Sequence, residues 1–129
     1  MRAAYFDSSA IVKLGHPEAE SGALVDYLSH EHLSAATSVI ADVEVRRALA
    51  RLRDGGADPA EHVGGFFLID LSRDVRDRAA VIGGSLKALD AMHLATALSI
   101  RDDIDFVTYD DRLAEAARAE GLRVVQPGR

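Results

Sequence analysis

Apolar residues along the chain follow two kinds of pattern, and the two kinds alternate from one end to the other. Short apolar runs are typical of strands in a parallel sheet that is buried on both faces, and they occur at 2–6, 33–38, 66–71, 104–109 and 122–126. Between them, patterns typical of helices lie at 8–16, from Pro17 to about His30, and at 39–53, 73–85, 88–101 and 111–120. For 57–65, the least regular stretch, a short helix is one interpretation.

Strands that alternate with helices predict a three-layer α/β/α sandwich around a mostly parallel central sheet of four to five strands. The 129 residues fit a single domain that spans 1–129. In folds of this class, ligands bind at the carboxyl ends of strands, near a topological switch point. Residues that directly follow the strands are therefore the first candidates for chemistry.

Acidic residues stand at two of these strand ends and inside two helices. Asp7 follows the first strand in "AAYFDSSA", and Asp110 follows the fourth in "FVTYDDRL". If those two strands are neighbours, both carboxylates point into one crevice. Glu44 interrupts a helix in "VIADVEVRRAL", and Asp90 interrupts the otherwise largely apolar "KALDAMHLATAL".

Each acid, taken alone, also has a purely structural interpretation. Three occupy positions where aspartate is a preferred helix N-cap, namely Asp7, Asp90 and Asp110. Glu44 could pair with Arg47 on the helix surface. Asp111, next to Asp110, is favoured in the first turn of a helix by the helix dipole. The individual residues therefore leave the choice open.

Composition restricts the classes of function further. With 15 basic and 21 acidic residues the formal charge is -6, which argues against a dedicated nucleic-acid binder with a basic surface but not against an enzyme that holds carboxylates around a cation. The chain has no cysteine, which excludes disulfides and thiolate metal sites. Because no apolar stretch approaches the roughly 18 residues of a membrane span and the N-terminus does not read as a signal peptide, we expect a cytoplasmic protein without a membrane partner.

Four segments in a fixed order carry a resemblance to a known family. They are "YFDSSAIVKL", "SVIADVEVRRAL", "LDAMHLATAL" and "FVTYDDRLAEAARAEGLRVV". Together they resemble the PIN domain from about Met1 to Pro127, and they look most like the VapC-type toxins of VapBC toxin–antitoxin pairs. The resemblance implies an endoribonuclease that depends on Mg²⁺ or Mn²⁺, with its acidic quartet at Asp7, Glu44, Asp90 and Asp110.

The chemistry of four converging carboxylates agrees with that implication. Such groups repel each other, and some take up protons rather than stay ionised. A divalent cation removes the conflict, and oxygen ligands without cysteine suit Mg²⁺ or Mn²⁺. A bound cation can acidify a water molecule, polarise a phosphate oxygen and stabilise the leaving oxygen. It also bridges the carboxylates and a phosphate, so an acidic cleft can hold RNA.

Several neighbouring residues are candidates for supporting roles. Ser9 and Thr108 lie next to quartet acids, where the family commonly has a hydroxyl that bonds a carboxylate or water; ordinary capping is the alternative. His93 is one turn after Asp90 and on the same helix face. It is either a buried or interface histidine, or a residue that contacts substrate or a quartet acid.

The sequence also departs from the pattern of its relatives. Many of them carry a further acid two residues after the equivalent of Asp110, where this chain has Arg112. The number of metal ions, one or two, is therefore open. Arg112 could contact an RNA phosphate or lie in solvent. The same two alternatives apply to a basic run beside Glu44, which consists of Arg46, Arg47, Arg51 and Arg53.

The resemblance implies protein partners as well as an RNA substrate. A small cognate VapB-like antitoxin is expected to bind through a segment that folds on contact and covers or enters the acidic cleft. An arginine of that partner could take the place of the cation's charge. Relatives commonly form dimers, so a homodimer is expected here.

Three other classes of protein were weighed against this interpretation. A phospho-receiver domain needs an acid pair after the first strand and a lysine after the fifth, but the first strand ends in one acid and the only lysines are Lys13 and Lys87. A haloacid-dehalogenase-type phosphatase needs D-x-D after the first strand, where Ser9 takes the place of the second acid. A PIN-like scaffold that has lost catalysis and only binds partners stays an alternative.

Overall fold

The computed structural model describes residues 2–30, 33–52 and 63–129. The strands in these ranges are β1 (Ala3–Phe6), β2 (Ser34–Ser38), β3 (Phe67–Ile69), β4 (Ile104–Val107) and β5 (Arg123–Val125). The helices are α1 (Ser8–Gly15), α2 (Ser21–His30), α3 (Val39–Arg51), α4 (Arg73–Ala79), α5 (Ala88–Leu98) and α6 (Asp111–Ala119). In the described ranges, no helix has the length and apolar character that a membrane crossing requires.

The strands form one parallel sheet in the order β3-β2-β1-β4-β5. The predicted α/β sandwich and the predicted neighbourhood of the first and fourth strands are both confirmed, with Phe6 paired to Val107. The chain builds β2 and β3 on one side of β1 and then crosses to β4 on the other. The topological switch point therefore lies between β1 and β4, where Asp7 and Thr108 leave the sheet.

Both faces of the sheet are buried, which explains the nearly continuous apolar runs of the strands. Alternate side chains point to opposite faces. Ala4, Phe6 and Val107 pack with Ile11 of α1, Leu24 of α2 and Val45 of α3 in one cluster. Tyr5 and Phe106 pack on the other face with Leu94 of α5 and Leu113 of α6. The helices that carry the candidate acids are thus held firmly against β1 and β4.

One further buried acid belongs to the fold and lies apart from the strand ends. Asp105 of β4 is only 2% exposed, and it accepts hydrogen bonds from Tyr27 Oη and from Arg123 Nε, each at 2.5 Å. Arg2 also contacts this carboxylate. Burial of a charge is tolerated where opposite charges and hydrogen bonds surround it, so two arginines and a tyrosine account for Asp105.

Several predicted boundaries were wrong because of local hydrogen bonds and backbone geometry. The helix expected from Pro17 begins at Ser21, whose hydroxyl accepts a bond from the Glu18 N–H at 2.9 Å and holds the preceding turn. The helix expected over 73–85 ends at Ala79. Gly83 and Gly84 then adopt φ of 74° and 53°, left-handed values that exclude a right-handed helix as far as 85.

The remaining differences are at segment ends. The helix expected over 88–101 ends at Leu98, and the strand expected over 66–71 is confined to Phe67–Ile69. The short helix considered for 57–65 falls mostly outside the described residues. The described part of this stretch, 63–65, forms a turn. These differences leave the positions of the candidate acids unchanged.

Candidate active site

Asp7 lies at the point where β1 ends and α1 begins, and it is the N-cap of that helix. Its Oδ1 accepts bonds from the Ala10 N–H at 3.0 Å and from the Ser9 hydroxyl at 2.8 Å. Its Oδ2 accepts a bond from the Thr108 hydroxyl at 2.5 Å. Asp7 can therefore be both a helix cap and a site residue, since the same carboxylate caps α1 and lies at the switch point.

The Asp7 carboxylate is held by neutral donors in a buried position. The side chain is 3% exposed, and burial raises its pKa above the ordinary value of 3.8. Hydrogen bonds from Thr108 and Ser9 oppose that rise but do not cancel it. A nearby cation would stabilise the ionised form of such a group.

Two hydroxyl groups connect the ends of β1 and β4. The Thr108 hydroxyl donates to Asp7 and accepts a bond from the Asp110 N–H at 3.1 Å. The Ser9 hydroxyl donates to Asp7 and accepts a bond from the Tyr109 N–H at 3.2 Å. Through these bonds the structure brings Asp7 and the backbone of Asp110 together across the switch point.

Asp110 and Asp111 differ sharply in their surroundings. Asp110 is the half-buried N-cap of α6, and its Oδ1 accepts a bond from the Leu113 N–H at 2.9 Å. Asp111 occupies the first turn, is 85% exposed and contacts Arg129 Nη1 at 2.9 Å. The predicted first-turn position of Asp111 is confirmed, and the pair divides into one acid that faces the site and one that faces solvent.

Asp90 faces Asp110 from α5. The predicted N-cap position of Asp90 was wrong, because Lys87 is the N-cap and Asp90 lies in the first turn. Burial raises the pKa of Asp90, and repulsion from Asp110 and from Glu44 raises it further. A groove of about 430 Å³ opens beside these two aspartates and is lined by Ser85, Leu86, Lys87, Asp90, Asp110, Asp111 and Arg112.

Glu44 enters the site from α3 and is held by two donors. Ser8 Oγ lies 2.7 Å and His93 Nε2 lies 2.8 Å from Glu44 Oε1. Burial alone would raise the pKa of Glu44, but the hydrogen bonds from His93 and Ser8 outweigh it and hold the pKa below its ordinary value of 4.5. The carboxylate therefore bonds His93 and Ser8 rather than Arg47, the surface partner considered from the sequence.

Three of the arginines considered from the sequence line surface grooves. Arg112 is exposed and lines both the groove at Asp90 and a neighbouring groove of about 620 Å³. Arg47 and Arg51 line a third groove, of about 610 Å³, which they share with Glu44. Arg46 pairs with Asp42 at 2.8 Å, and Arg53 lies outside the described residues.

The sequence indicated neither the role of Tyr5 nor the partner of Ser8. Tyr5 Oη lies 2.7 Å from His93 Nδ1, although 88 positions separate the two residues. In the sequence, Tyr5 is indistinguishable from the other apolar residues of a buried strand. Ser8 stands beside Asp7 in the sequence, but its bond reaches Glu44, 36 positions away.

The acids surround a common region without closing into a compact ligand set. Within 2–30, 33–52 and 63–129, no three His, Cys, Asp or Glu side chains are close enough together to enclose a metal ion by themselves. Mg²⁺ commonly keeps several water molecules and takes only one or two carboxylates from a protein. The facing pair of Asp90 and Asp110, with the raised pKa of Asp90, fits that manner of binding.

Comparisons with known proteins agree with the fold. The family profile of the PIN domain matches residues 4–119. Ribonuclease VapC46 of Mycobacterium tuberculosis is 40% identical over 133 residues, which cover 98% of this chain and 99% of that protein. Ribonuclease VapC35 of the same species is 38% identical over 130 residues, with 96% of each chain covered.

Solved structures of similar fold come from several bacteria. One is a toxin–antitoxin complex from Klebsiella pneumoniae, with a TM-score of 0.73, 22% identity and coverage of 97% of this chain and 98% of that one. Another is VapC20 of M. tuberculosis, described as a sarcin-ricin loop cleaving toxin, with a TM-score of 0.74, 18% identity and coverage of 97% and 100%. At these identities the structures support the fold.

The buried charge of Asp7 predicts a stability that depends on pH. The pKa of Asp7 in the folded state lies above 3.8, so protonation of this carboxyl favours the folded state. This stabilisation is complete below pH 3.8 and is lost as the pH rises through the folded-state pKa. We expect Asp7→Asn to be more stable than the wild type at neutral pH in EDTA, with the difference shrinking toward acidic pH. Urea unfolding over a pH series measures the free energy of unfolding of both proteins.

Asp103→Asn is the matched control for this comparison, because it makes the same chemical change at an exposed position. An Asp7→Asn protein that is less stable than the wild type at neutral pH would contradict the expectation. The same holds for a difference in stability that does not change with pH.

Proposed function

The chain belongs to the PIN domain family, and from that membership we propose that it is the ribonuclease toxin of a toxin–antitoxin pair. Its relatives of 40% and 38% identity, which match it over nearly their whole length, are VapC ribonucleases. The observation that carries the proposal to a particular site is that Asp110 and Glu44 both act electrostatically on Asp90, beside the switch point where Asp7 follows β1. We infer that these four acids, Asp7, Glu44, Asp90 and Asp110, serve one site.

The donor set suits Mg²⁺ or Mn²⁺. The four acids supply only oxygen ligands, which these hard cations prefer. Burial raises the pKa of Asp90, and repulsion from Asp110 raises it further. We infer that these two carboxylates and Asp7 hold the cation, with Glu44 beside them. When bound, the cation would acidify a water molecule and offset the charge that develops on the phosphate.

The residues of the site divide the remaining work according to their surroundings. Glu44, whose pKa is lowered, stays ionised and is suited to accept a hydrogen bond from the attacking water and so orient it. A bound cation would stabilise the ionised form of Asp90, whose pKa is raised in this structure. Ser9 and Thr108 keep the Asp7 carboxylate in one orientation through their hydroxyl groups.

RNA would reach the acids along the grooves that adjoin them. Arg112 and Lys87 line the groove at Asp90 and Asp110, and Arg47 and Arg51 line the groove at Glu44. We infer that these side chains contact RNA phosphates on either side of the cleaved bond, since arginine and lysine supply most of the electrostatic affinity for a nucleic-acid backbone. The net charge of -6 is compatible with this arrangement because the basic groups are local.

The proposal includes two protein partners. Several proteins of the same fold were solved as toxin–antitoxin complexes, so a small VapB-like antitoxin is the partner expected here. Its binding segment would cover the acidic cleft, and an arginine of that segment would neutralise carboxylates in place of the cation. We also propose a homodimer, and a cytoplasmic location where RNA is available.

Removal of any one quartet carboxylate should abolish metal-dependent cleavage. We expect Asp7→Asn, Glu44→Gln, Asp90→Asn and Asp110→Asn each to lose more activity than the roughly 10- to 100-fold that loss of an outer hydrogen-bond partner costs. Each replacement keeps the size of the side chain and removes its charge. Cleavage of RNA with Mg²⁺ or Mn²⁺, and with EDTA as the blank, measures the effect.

Asp111→Asn is the control, because Asp111 is 85% exposed and contacts Arg129. It should keep most of the activity. If Asp111→Asn abolished cleavage and Asp110→Asn did not, the wrong acid of the pair would have been assigned to the site. Wild-type cleavage by all five variants would refute the nuclease assignment, and a wild type without any cleavage would favour the silent binding module.

The proposed antitoxin and homodimer can be tested in solution. Co-expression with the product of a small reading frame directly upstream should give a stable complex in which RNA cleavage is suppressed, because the partner would occupy the acidic cleft. Size-exclusion chromatography with light scattering should give the mass of a dimer for the toxin alone. A monomer at micromolar concentration would contradict the dimer, and failure of the two products to associate would contradict the antitoxin.

A further inference from the structure

His93 is the junction of a buried hydrogen-bond network behind Glu44. The side chain is 1% exposed. Its Nε2 lies 2.8 Å from Glu44 Oε1 and 3.2 Å from Ser8 Oγ, and its Nδ1 lies 2.7 Å from Tyr5 Oη. The imidazole therefore connects α5, α3, α1 and β1 at a single point, where solvent cannot replace a lost bond.

The contact with Glu44 decides which nitrogen carries a proton. Hydrogen bonds hold the pKa of Glu44 below its ordinary value, so the carboxylate is ionised and can only accept. At 2.8 Å from that oxygen, His93 Nε2 must be a donor. The Nε2–H bond thus follows from the chemistry of its partner.

The contact with Tyr5 decides the state of the other nitrogen. Tyr5 is fully buried, and burial raises the pKa of its phenol far above the ordinary 10.0, so the hydroxyl keeps its proton. That proton can be donated to His93 Nδ1 at 2.7 Å. The Nε2–H tautomer fits both contacts, since Nδ1 can then accept from Tyr5 while Nε2 donates to Glu44.

We propose that Tyr5 and His93 form a positioning pair, in which the Tyr5 hydroxyl fixes the Nε2–H tautomer of His93 and His93 thereby holds the Glu44 carboxylate in its place for RNA cleavage. This inference rests on the proposed ribonuclease function. His93 acts through Glu44, and Tyr5 acts through His93. Neither side chain has to touch RNA in this arrangement.

A neutral donor has a specific advantage over a charged one at this place. An imidazolium would form an ion pair with Glu44 and cancel much of the negative charge that the site offers to a cation or to an attacking water. A neutral N–H fixes the carboxylate and leaves its charge in place. Ser8 donates to the same oxygen, Oε1, so both bonds restrain one side of the carboxylate.

The tautomer can be measured directly on the full chain, without RNA or metal. The ¹⁵N shifts of labelled histidine separate the two neutral tautomers from each other and from the imidazolium. We expect His93 in the wild type at neutral pH to carry its proton on Nε2 alone. In Tyr5→Phe, which keeps the ring and removes the hydroxyl, the preference for this tautomer should weaken.

Kinetics with Mn²⁺ and RNA then test whether the pair positions Glu44. We expect His93→Leu to lower kcat by about 10- to 100-fold, as loss of an outer hydrogen-bond partner does, with little change in KM. His93→Gln, whose amide can donate to Glu44, should recover much of the loss. Tyr5→Phe should lower kcat in the wild-type background and leave it unchanged in the His93→Gln background, since it acts only through the imidazole.

Tyr27→Phe is the matched control for loss of a tyrosine hydroxyl, because Tyr27 Oη bonds the Asp105 carboxylate at 2.5 Å, apart from the strand ends that carry the candidate site. Its kcat should equal that of the wild type. Urea unfolding of every variant identifies losses of activity that come only from unfolding.

Two results would overturn the inference while the ribonuclease assignment stands. One is a cleaving wild type in which His93 Nδ1 carries a proton. The other is a Tyr5→Phe effect on kcat that is as large in the His93→Gln background as in the wild type. An Nε2–H tautomer in a protein that does not cleave RNA with any metal would refute the proposed function, and the catalytic role of the pair with it.

Discussion

Repulsion among the carboxylates of Asp90, Asp110 and Glu44 is the constraint on which the site depends. Burial raises the pKa of Asp90, and the charges of Asp110 and Glu44 raise it further. A cluster of like charges destabilises a fold unless each member has a local reason to be there. The structure supplies those reasons one by one, and a divalent cation would relieve what remains of the repulsion.

The local reasons are ordinary structural devices placed at unusual positions. Asp7 and Asp110 cap helices, Thr108 connects the two strand ends, and Glu44 is held by Ser8 and His93. A cap, a hydroxyl bridge and a buried imidazole each stabilise the fold and at the same time fix a carboxylate. The structural and functional interpretations of the acids, which the sequence left as alternatives, therefore both apply.

The sequence predicted what depends on local pattern and failed where long-range contacts decide. Strand positions followed from apolar runs, and the neighbourhood of β1 and β4 followed from the acids at their ends. The helix expected over 73–85 was too long: it ends at Ala79, and the left-handed backbone of Gly83 and Gly84 excludes a helix as far as 85. The bond between Tyr5 and His93 joins residues 88 positions apart, and a single sequence carries no signal for such a pair. The cation, the RNA and the residue roles stay proposals.

Above all, we propose that the acids hold a divalent cation at the switch point. A crystal soaked in Mn²⁺, at a concentration that supports cleavage, tests that claim directly through the anomalous scattering of manganese. We expect an anomalous peak in the groove between Asp90 and Asp110, with Asp7 nearby, and no such peak in a crystal of Asp110→Asn. Absence of a peak from that groove in the wild type, or a peak only at a distant surface, would contradict the account.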